Sequence, residues 1–242
     1  MNRKRADLAL VERGFFESRA RAQEAIAAGL VTQNGIAVRK ASEMIAENAV
    51  VSAERPHPYV SRGGLKLAAA LDAFAFDPAG AICLDLGAST GGFTEVLLLR
   101  GAARVYAVDV GHSQLHPKVA ADPRVRSLES TDARNLDPGL VPDPIDFLVA
   151  DVSFISLKLV LPAAVALLKP GAALAVLVKP QFEAGRDRVK KGIVRDEAVH
   201  RAVCEDMTAF ITSLGLTPLG LIASPIEGGD GNREFLLGAR LA

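Results

Sequence analysis

Four aspartates and a lysine stand where apolar runs give way to loops. Asp85, Asp109, Asp132 and Asp151 lie at or just beyond the ends of successive apolar stretches, and Lys179 follows Leu174-Ala175-Val176-Leu177-Val178. Ligands of open parallel sheets bind in the crevice outside the carboxyl ends of the strands. Carboxylates placed there can accept hydrogen bonds from the hydroxyls and amines of a nucleotide-type ligand. A lone aspartate at such a point is ordinarily a helix cap or a solvated loop residue, but four in succession point to a site. A lysine at the end of a core strand is costly to bury unless it is paired or functional. Lys66, opening an alanine- and leucine-rich helix, and Glu234, opening the last strand, are further charged groups to weigh with Lys179 and Asp151.

The segment Ile82-Cys83-Leu84-Asp85-Leu86-Gly87-Ala88-Ser89-Thr90-Gly91-Gly92-Phe93-Thr94 reads as a buried strand, a glycine-rich turn and a helix start. Such a turn lets backbone N–H groups approach a ligand closely. A dinucleotide fingerprint requires G-x-G-x-x-G, and Ser89 stands where its middle glycine would be. That glycine admits a pyrophosphate, which S-adenosylmethionine lacks, so the residues favour S-adenosylmethionine. Its ammonium would fall to Asp85 and its carboxylate to amides of Gly87, Ala88, Ser89, Gly91, Gly92 and Phe93. The ribose hydroxyls would fall to Asp109 beside Val110, and the adenine amine to Asp132 beside Ala133. Asp151 would lie near the sulfonium and the incoming substrate.

These groups must be held by a sheet. Strands are expected at 82–86, 104–109, 125–128, 145–150, 172–178, 217–223 and 234–239, with helices near 92–100, 113–121, 156–168 and 196–214. This alternation predicts a doubly wound, mostly parallel α/β sheet, ending in an antiparallel pair across the loop from Glu227 to Asn232. Residues 1–58 read differently. Two short helices end at Gly14 and Gly29, Ser18 suits an N-cap, and Gln33-Asn34-Gly35 between apolar triplets predicts a hairpin. Another strand is expected at Val50-Val51. Pro56-His57-Pro58 breaks the pattern, so the expected organisation is a small α+β module at 1–58, a linker at 59–64 and the large domain at 65–242.

The chain has 242 residues with 28 Lys/Arg against 28 Asp/Glu. Residues 1–66 carry 11 Lys/Arg against 7 Asp/Glu, which suggests a polyanionic partner at that end. Two cysteines and four scattered histidines form neither a disulfide framework nor a metal-ligand pattern, so no metal is expected. The N-terminus is charged and then amphipathic, unlike a secretory signal. The longest apolar stretch, Leu159 to Val178, is interrupted by Lys169-Pro170-Gly171, a helix stop and turn. A cytoplasmic protein without a membrane span is expected.

Ser61-Arg62-Gly63-Gly64-Leu65-Lys66, the glycine-rich segment from Asp85 to Phe93, Ala150-Asp151-Val152-Ser153-Phe154-Ile155-Ser156 and Lys179-Pro180-Gln181-Phe182-Glu183 together resemble the TlyA (haemolysin A) family of ribosomal RNA methyltransferases. Their catalytic domain is similar to FtsJ-type ribose 2′-O-methyltransferases. The N-terminal segment resembles an alpha-L RNA-binding domain, with Arg19, Arg21, Gln23, Gly29, Val31, Asn34, Gly35 and Lys40 at pattern positions; Ala41 departs from the usual proline. The resemblance implies a Rossmann-like S-adenosylmethionine-dependent sheet and a catalytic tetrad of Lys66, Asp151, Lys179 and Glu234. It implies ribosomal RNA or ribosomal subunits as partner, with cytidine as target. Arg3, Lys4, Arg5, Arg19, Arg21 and Lys40 would contact phosphates, and Arg62 would bridge module and active site. The family name raises a membrane-active haemolysin as an alternative, and a non-catalytic ribosome-assembly factor is another; the intact tetrad argues against the latter.

Overall fold

The structure is a computed structural model that describes residues 3–189, 191–228 and 231–242. The chain divides into two compact units, Met1–Pro58 and Tyr59–Ala242. Residues 59–64, expected as a linker, fall within the second unit, whose first helix already begins at Gly63.

The first unit runs β1 (Arg3–Arg5), α1 (Ala6–Glu12), α2 (Arg19–Ala27), β2 (Val31–Gln33), β3 (Ile36–Ala37), β4 (Met44–Ala46) and β5 (Val51–Ala53). Ser18 caps α2 by accepting from the Arg21 N–H. Asn34 and Gly35, both at positive φ, form the tight turn between β2 and β3, as a two-residue hairpin requires. β5 pairs with the other side of β2. The short pair of β1 with β4 was not expected from the sequence, because three-residue strands carry little periodicity. Ala6, Leu10, Ala22, Ile26, Val31 and Ile45 are among the buried residues of its small core.

The second unit runs α3 (Gly63–Ala73), β6 (Ile82–Leu86), α4 (Gly92–Leu99), β7 (Arg104–Val108), α5 (Pro117–Ala120), β8 (Val125–Leu128), β9 (Ile145–Ala150), α6 (Leu157–Val165), β10 (Leu168–Val178), α7 (Pro180–Glu183), α8 (Glu197–Ser213), β11 (Leu216–Ala223) and β12 (Phe235–Leu241). The seven strands lie in the order β11-β12-β10-β9-β6-β7-β8. Neighbours are parallel except for β12, which runs antiparallel to both β10 and β11. This is the Rossmann-like methyltransferase sheet expected from the sequence. Two apolar layers flank it, one holding Leu84, Leu86, Leu148 and Val176, the other Cys83, Phe147, Ala175 and residues of α3 and α4. The split follows strand alternation, since successive side chains point to opposite faces.

Three elements differ from expectation, among them the short helix α7, which no expected helix covers. β10 starts at Leu168, so Lys169-Pro170-Gly171 lies inside the strand as an irregularity in its pairing with β9. α5 spans only Pro117–Ala120, because Ser113 takes a positive φ and Pro117 sets the helix start.

Candidate active site

The strand order reverses between β6 and β9, and ligands of open α/β sheets bind at such a point. Two cavities meet there. One, of about 430 Å³, is lined by Gly87, Ser89, Asp109, Val110, Asp132, Ala133, Arg134, Phe154 and neighbours. The other, of about 300 Å³, is lined by Ser61, Arg62, Lys66, Ala88, Gly92, Phe93, Lys179 and Ile226 among others. Gly87, Ser89, Asp151 and Ser153 belong to both walls.

The glycine turn shapes both cavities with backbone. Gly87 turns at φ +78°, and a Cβ added there would lie 2.6 Å from the Asp151 carbonyl oxygen. At Gly92 an added Cβ would lie 2.0 Å from Ser61 Oγ, so the segment before α3 lies directly over the glycine turn. Asp109 accepts from the Ser89 N–H at 2.8 Å and the Gly111 N–H at 2.7 Å. An ionised carboxylate offers about four lone-pair sites, so two are left for a vicinal diol. Val110 and Phe154 are 79% and 92% exposed, which leaves apolar surface at the cavity for a flat ring.

Asp85 is placed otherwise than its expected role requires. It is fully buried, accepts from Thr94 Oγ1 at 2.6 Å and lines neither cavity. Alternation along β6 puts it on the Cys83 face, under α4, behind the glycine turn. Burial pushes its carboxyl up to about 7, against the Thr94 hydrogen bond, which lowers it. Asp132 lines the larger cavity, but both of its oxygens accept from Arg134, which holds its carboxyl at about 2.

The smaller cavity is shaped by ion pairs. Lys179 Nζ lies 2.6 Å from Asp151 Oδ1 and donates to Ser153 Oγ at 2.8 Å. Lys66 Nζ lies 2.6 Å from Glu234 Oε2. Lys66, Lys179 and Glu234 are all buried, whereas the Asp151 side chain retains 19% exposure. The four expected tetrad residues therefore form two ion pairs, with Lys66, Asp151 and Lys179 on the cavity wall. Asn232 fixes the approach to Glu234 by accepting from Val194 N–H and donating to the Gly192 carbonyl. Sequence alone gives Ser153 and Ser61 no role beyond their proximity to Asp151 and Lys66. Glu183, in the fourth motif, accepts from the Leu157 N–H and Ser156 Oγ and so caps α6.

The FtsJ-like methyltransferase profile matches residues 59–241, and the S4 domain profile matches residues 4–51. The chain belongs to the FtsJ-like methyltransferase family. Its N-terminal unit is an S4 domain. The Bacillus subtilis protein YqxC is 48% identical over 97% of this chain and 85% of its own length. The 16S/23S rRNA (cytidine-2′-O)-methyltransferase TlyA of Mycobacterium tuberculosis is 46% identical over 98% of this chain and 90% of its own. A solved hemolysin-named structure from Streptococcus thermophilus is 44% identical, with TM-score 0.79, covering all of this chain and 90% of that one. An S-adenosylmethionine-dependent methyltransferase of Mesorhizobium loti shares the fold at 14% identity, with TM-score 0.52, over 71% of this chain and 96% of its own.

In this FtsJ-like methyltransferase the expected RNA contacts are unevenly placed. Arg3 and Lys40 are exposed, and Lys4, paired with Glu12, is about half exposed. Arg5 and Arg19 both pair with Asp7 while keeping exposed guanidinium groups. Arg21 is only 20% exposed and is tied to Glu24 and His57, a structural position within the S4 unit. Arg62 lines the smaller cavity. No helix among the described residues is long and apolar enough to cross a membrane.

Proposed function

We propose that this protein transfers a methyl group from S-adenosylmethionine to the 2′-hydroxyl of a ribose in ribosomal RNA, with cytidine the target nucleoside. The substrate is drawn from the Mycobacterium tuberculosis relative. The observation that carries the chemistry is the Lys179–Asp151 pair at the junction of the two cavities. The larger cavity suits the nucleoside of the donor, because Asp109 has acceptor capacity for ribose hydroxyls, and the glycine turn, which lines both cavities, frames the amino-acid end where they meet. When bound, S-adenosylmethionine supplies an electrophilic methyl group.

A ribose hydroxyl is a weak nucleophile at neutral pH and needs activation. Lys179 donates to Ser153 Oγ and is paired in charge with Asp151. A remaining Lys179 N–H can hold the 2′-oxygen in line with the methyl group, the Asp151 carboxylate takes the hydroxyl proton as the O–C bond forms, and the sulfur–methyl bond breaks to leave S-adenosylhomocysteine. Lys66, steadied by Glu234, faces the same cavity and suits the ribose or its adjacent phosphate. Much of the rate would come from alignment. Arg62 and the exposed Arg3, Lys4, Arg5, Arg19 and Lys40 would hold the RNA backbone. The target nucleotide would be extruded to reach the cavity, and the enzyme would act in the cytoplasm on ribosomal subunits.

Incubating the protein and labelled S-adenosylmethionine with unmodified ribosomal subunits, then mapping the label, tests this. Label on a cytidine 2′-oxygen is expected. Label confined to a base, or no incorporation into either subunit, would reject the reading. Leakage of defined liposomes by purified protein would instead favour the haemolysin alternative.

A further inference from the structure

Six hydrogen bonds converge on one carboxylate in the S4 unit. Asp7, fully buried in the first turn of α1, accepts from Arg5 Nε at 3.1 Å and Nη2 at 3.2 Å, and from Arg19 Nε at 3.3 Å and Nη2 at 2.9 Å. Gln23 Nε2 at 2.8 Å and the Leu8 N–H at 3.1 Å complete the set. The Arg5 hydrogen bonds, with those of Gln23 and Arg19, hold the Asp7 carboxyl well below the usual carboxylate range, against the opposing effect of burial. The arginines come from different elements, Arg5 from β1 and Arg19 from the first turn of α2. Their side chains remain 44% and 54% exposed.

A guanidinium has five N–H donors in a rigid fork. Each arginine turns its Nε–Nη2 edge toward Asp7, which leaves the Nη1 donors for a ligand. A free arginine side chain loses rotamer entropy on binding, and one already fixed loses less. We propose that Asp7 is a positioning residue that holds Arg5 and Arg19 as one preorganised fork for a phosphodiester group of the RNA. This rests on the reading of ribosomal RNA as substrate. It reverses the sign expected from charge alone: removing an anion beside two arginines should strengthen polyanion binding, whereas loss of the fork weakens it.

Full-length protein is titrated into in-vitro-transcribed, unmodified 16S and 23S ribosomal RNA across a potassium chloride series, with filter binding as readout. Asp7→Asn should weaken binding about tenfold, and the slope of log affinity against log salt should fall by about one. At saturating RNA, kcat should be unchanged. As a control for bare charge, Glu12→Gln removes an exposed acid paired with Lys4 and should leave affinity equal or higher. The double variant Arg5→Lys, Arg19→Lys keeps the charge and loses the fork, so it should also weaken binding; it decides the matter if Asp7→Asn fails to fold by circular dichroism. Wild-type affinity in either folded variant would overturn the fork alone. Failure of the wild-type protein to bind either RNA would overturn the substrate reading and the fork with it.

Discussion

The two halves of the active site are built by opposite means. One half is the glycine turn, consecutive residues between Gly87 and Phe93 that contribute to both cavity walls and whose backbone passes close to β9 and beneath Ser61. The other half is the two ion pairs, whose side chains are brought from far apart: Lys66 and Glu234 are 168 residues apart in the chain. A backbone cradle fails only where a side chain is added. A buried ion pair fails when either member is lost, because the partner is then left charged and unpaired. The two halves should therefore respond differently to substitution.

The sharpest test is Lys179→Ala. General acid–base groups contribute about 10²- to 10⁴-fold in rate, so single-turnover methylation should fall by that order while S-adenosylmethionine affinity stays near wild type. A small rate loss, or a large affinity loss, would place Lys179 with the cradle instead. Glu234→Ala comes next. It strands Lys66 in a buried site and should cost about 3 kcal/mol of stability, measured by urea unfolding. Glu234→Gln, which retains an acceptor for Lys66, should cost less.

Gly87→Ala tests the cradle. Its φ of +78° and the 2.6 Å approach to the Asp151 carbonyl leave no room for a methyl group. Strain at such a position costs about 1–3 kcal/mol, and calorimetry should show weakened S-adenosylmethionine binding. A variant with normal cofactor affinity would show that the turn adapts, and the contrast between the halves would be lost.

The same contrast explains what could be read in the sequence. The glycine turn and the row of strand-end aspartates are local signals, so the donor side was legible as a motif. The ion pairs of the acceptor side depend on which strands become neighbours, and their membership came from family resemblance. Asp85 shows where a local reading stops. Its place in the motif predicts a ligand contact, but alternation along β6 turns it under α4 to Thr94. The charge of Arg21 is visible in sequence, whereas its pairing with Glu24 and His57 is visible only in the fold. The β1–β4 pair escaped notice because three residues cannot display a period.

The last test concerns Asp85 and probes what supports the cradle from behind. Its folded carboxyl lies at about 7 chiefly because of burial, while an unfolded aspartate titrates near about 3.9. Between these values the folded state holds a proton that the unfolded state has released. Since stability falls with pH wherever the native state binds more protons, this residue contributes a decline from about pH 4 to about 7, with a slope of at most about 1.4 kcal/mol per pH unit. Asp7 is shifted the other way, and its contribution is lost only as pH falls through the acid range, outside this window. The difference in urea-unfolding free energy between wild type and Asp85→Asn therefore isolates the effect. It should drift against the wild type as pH rises from 4 to 7 and then level off. A difference that is flat across that interval would mean that Asp85 is ionised beneath the turn and held by groups other than Thr94.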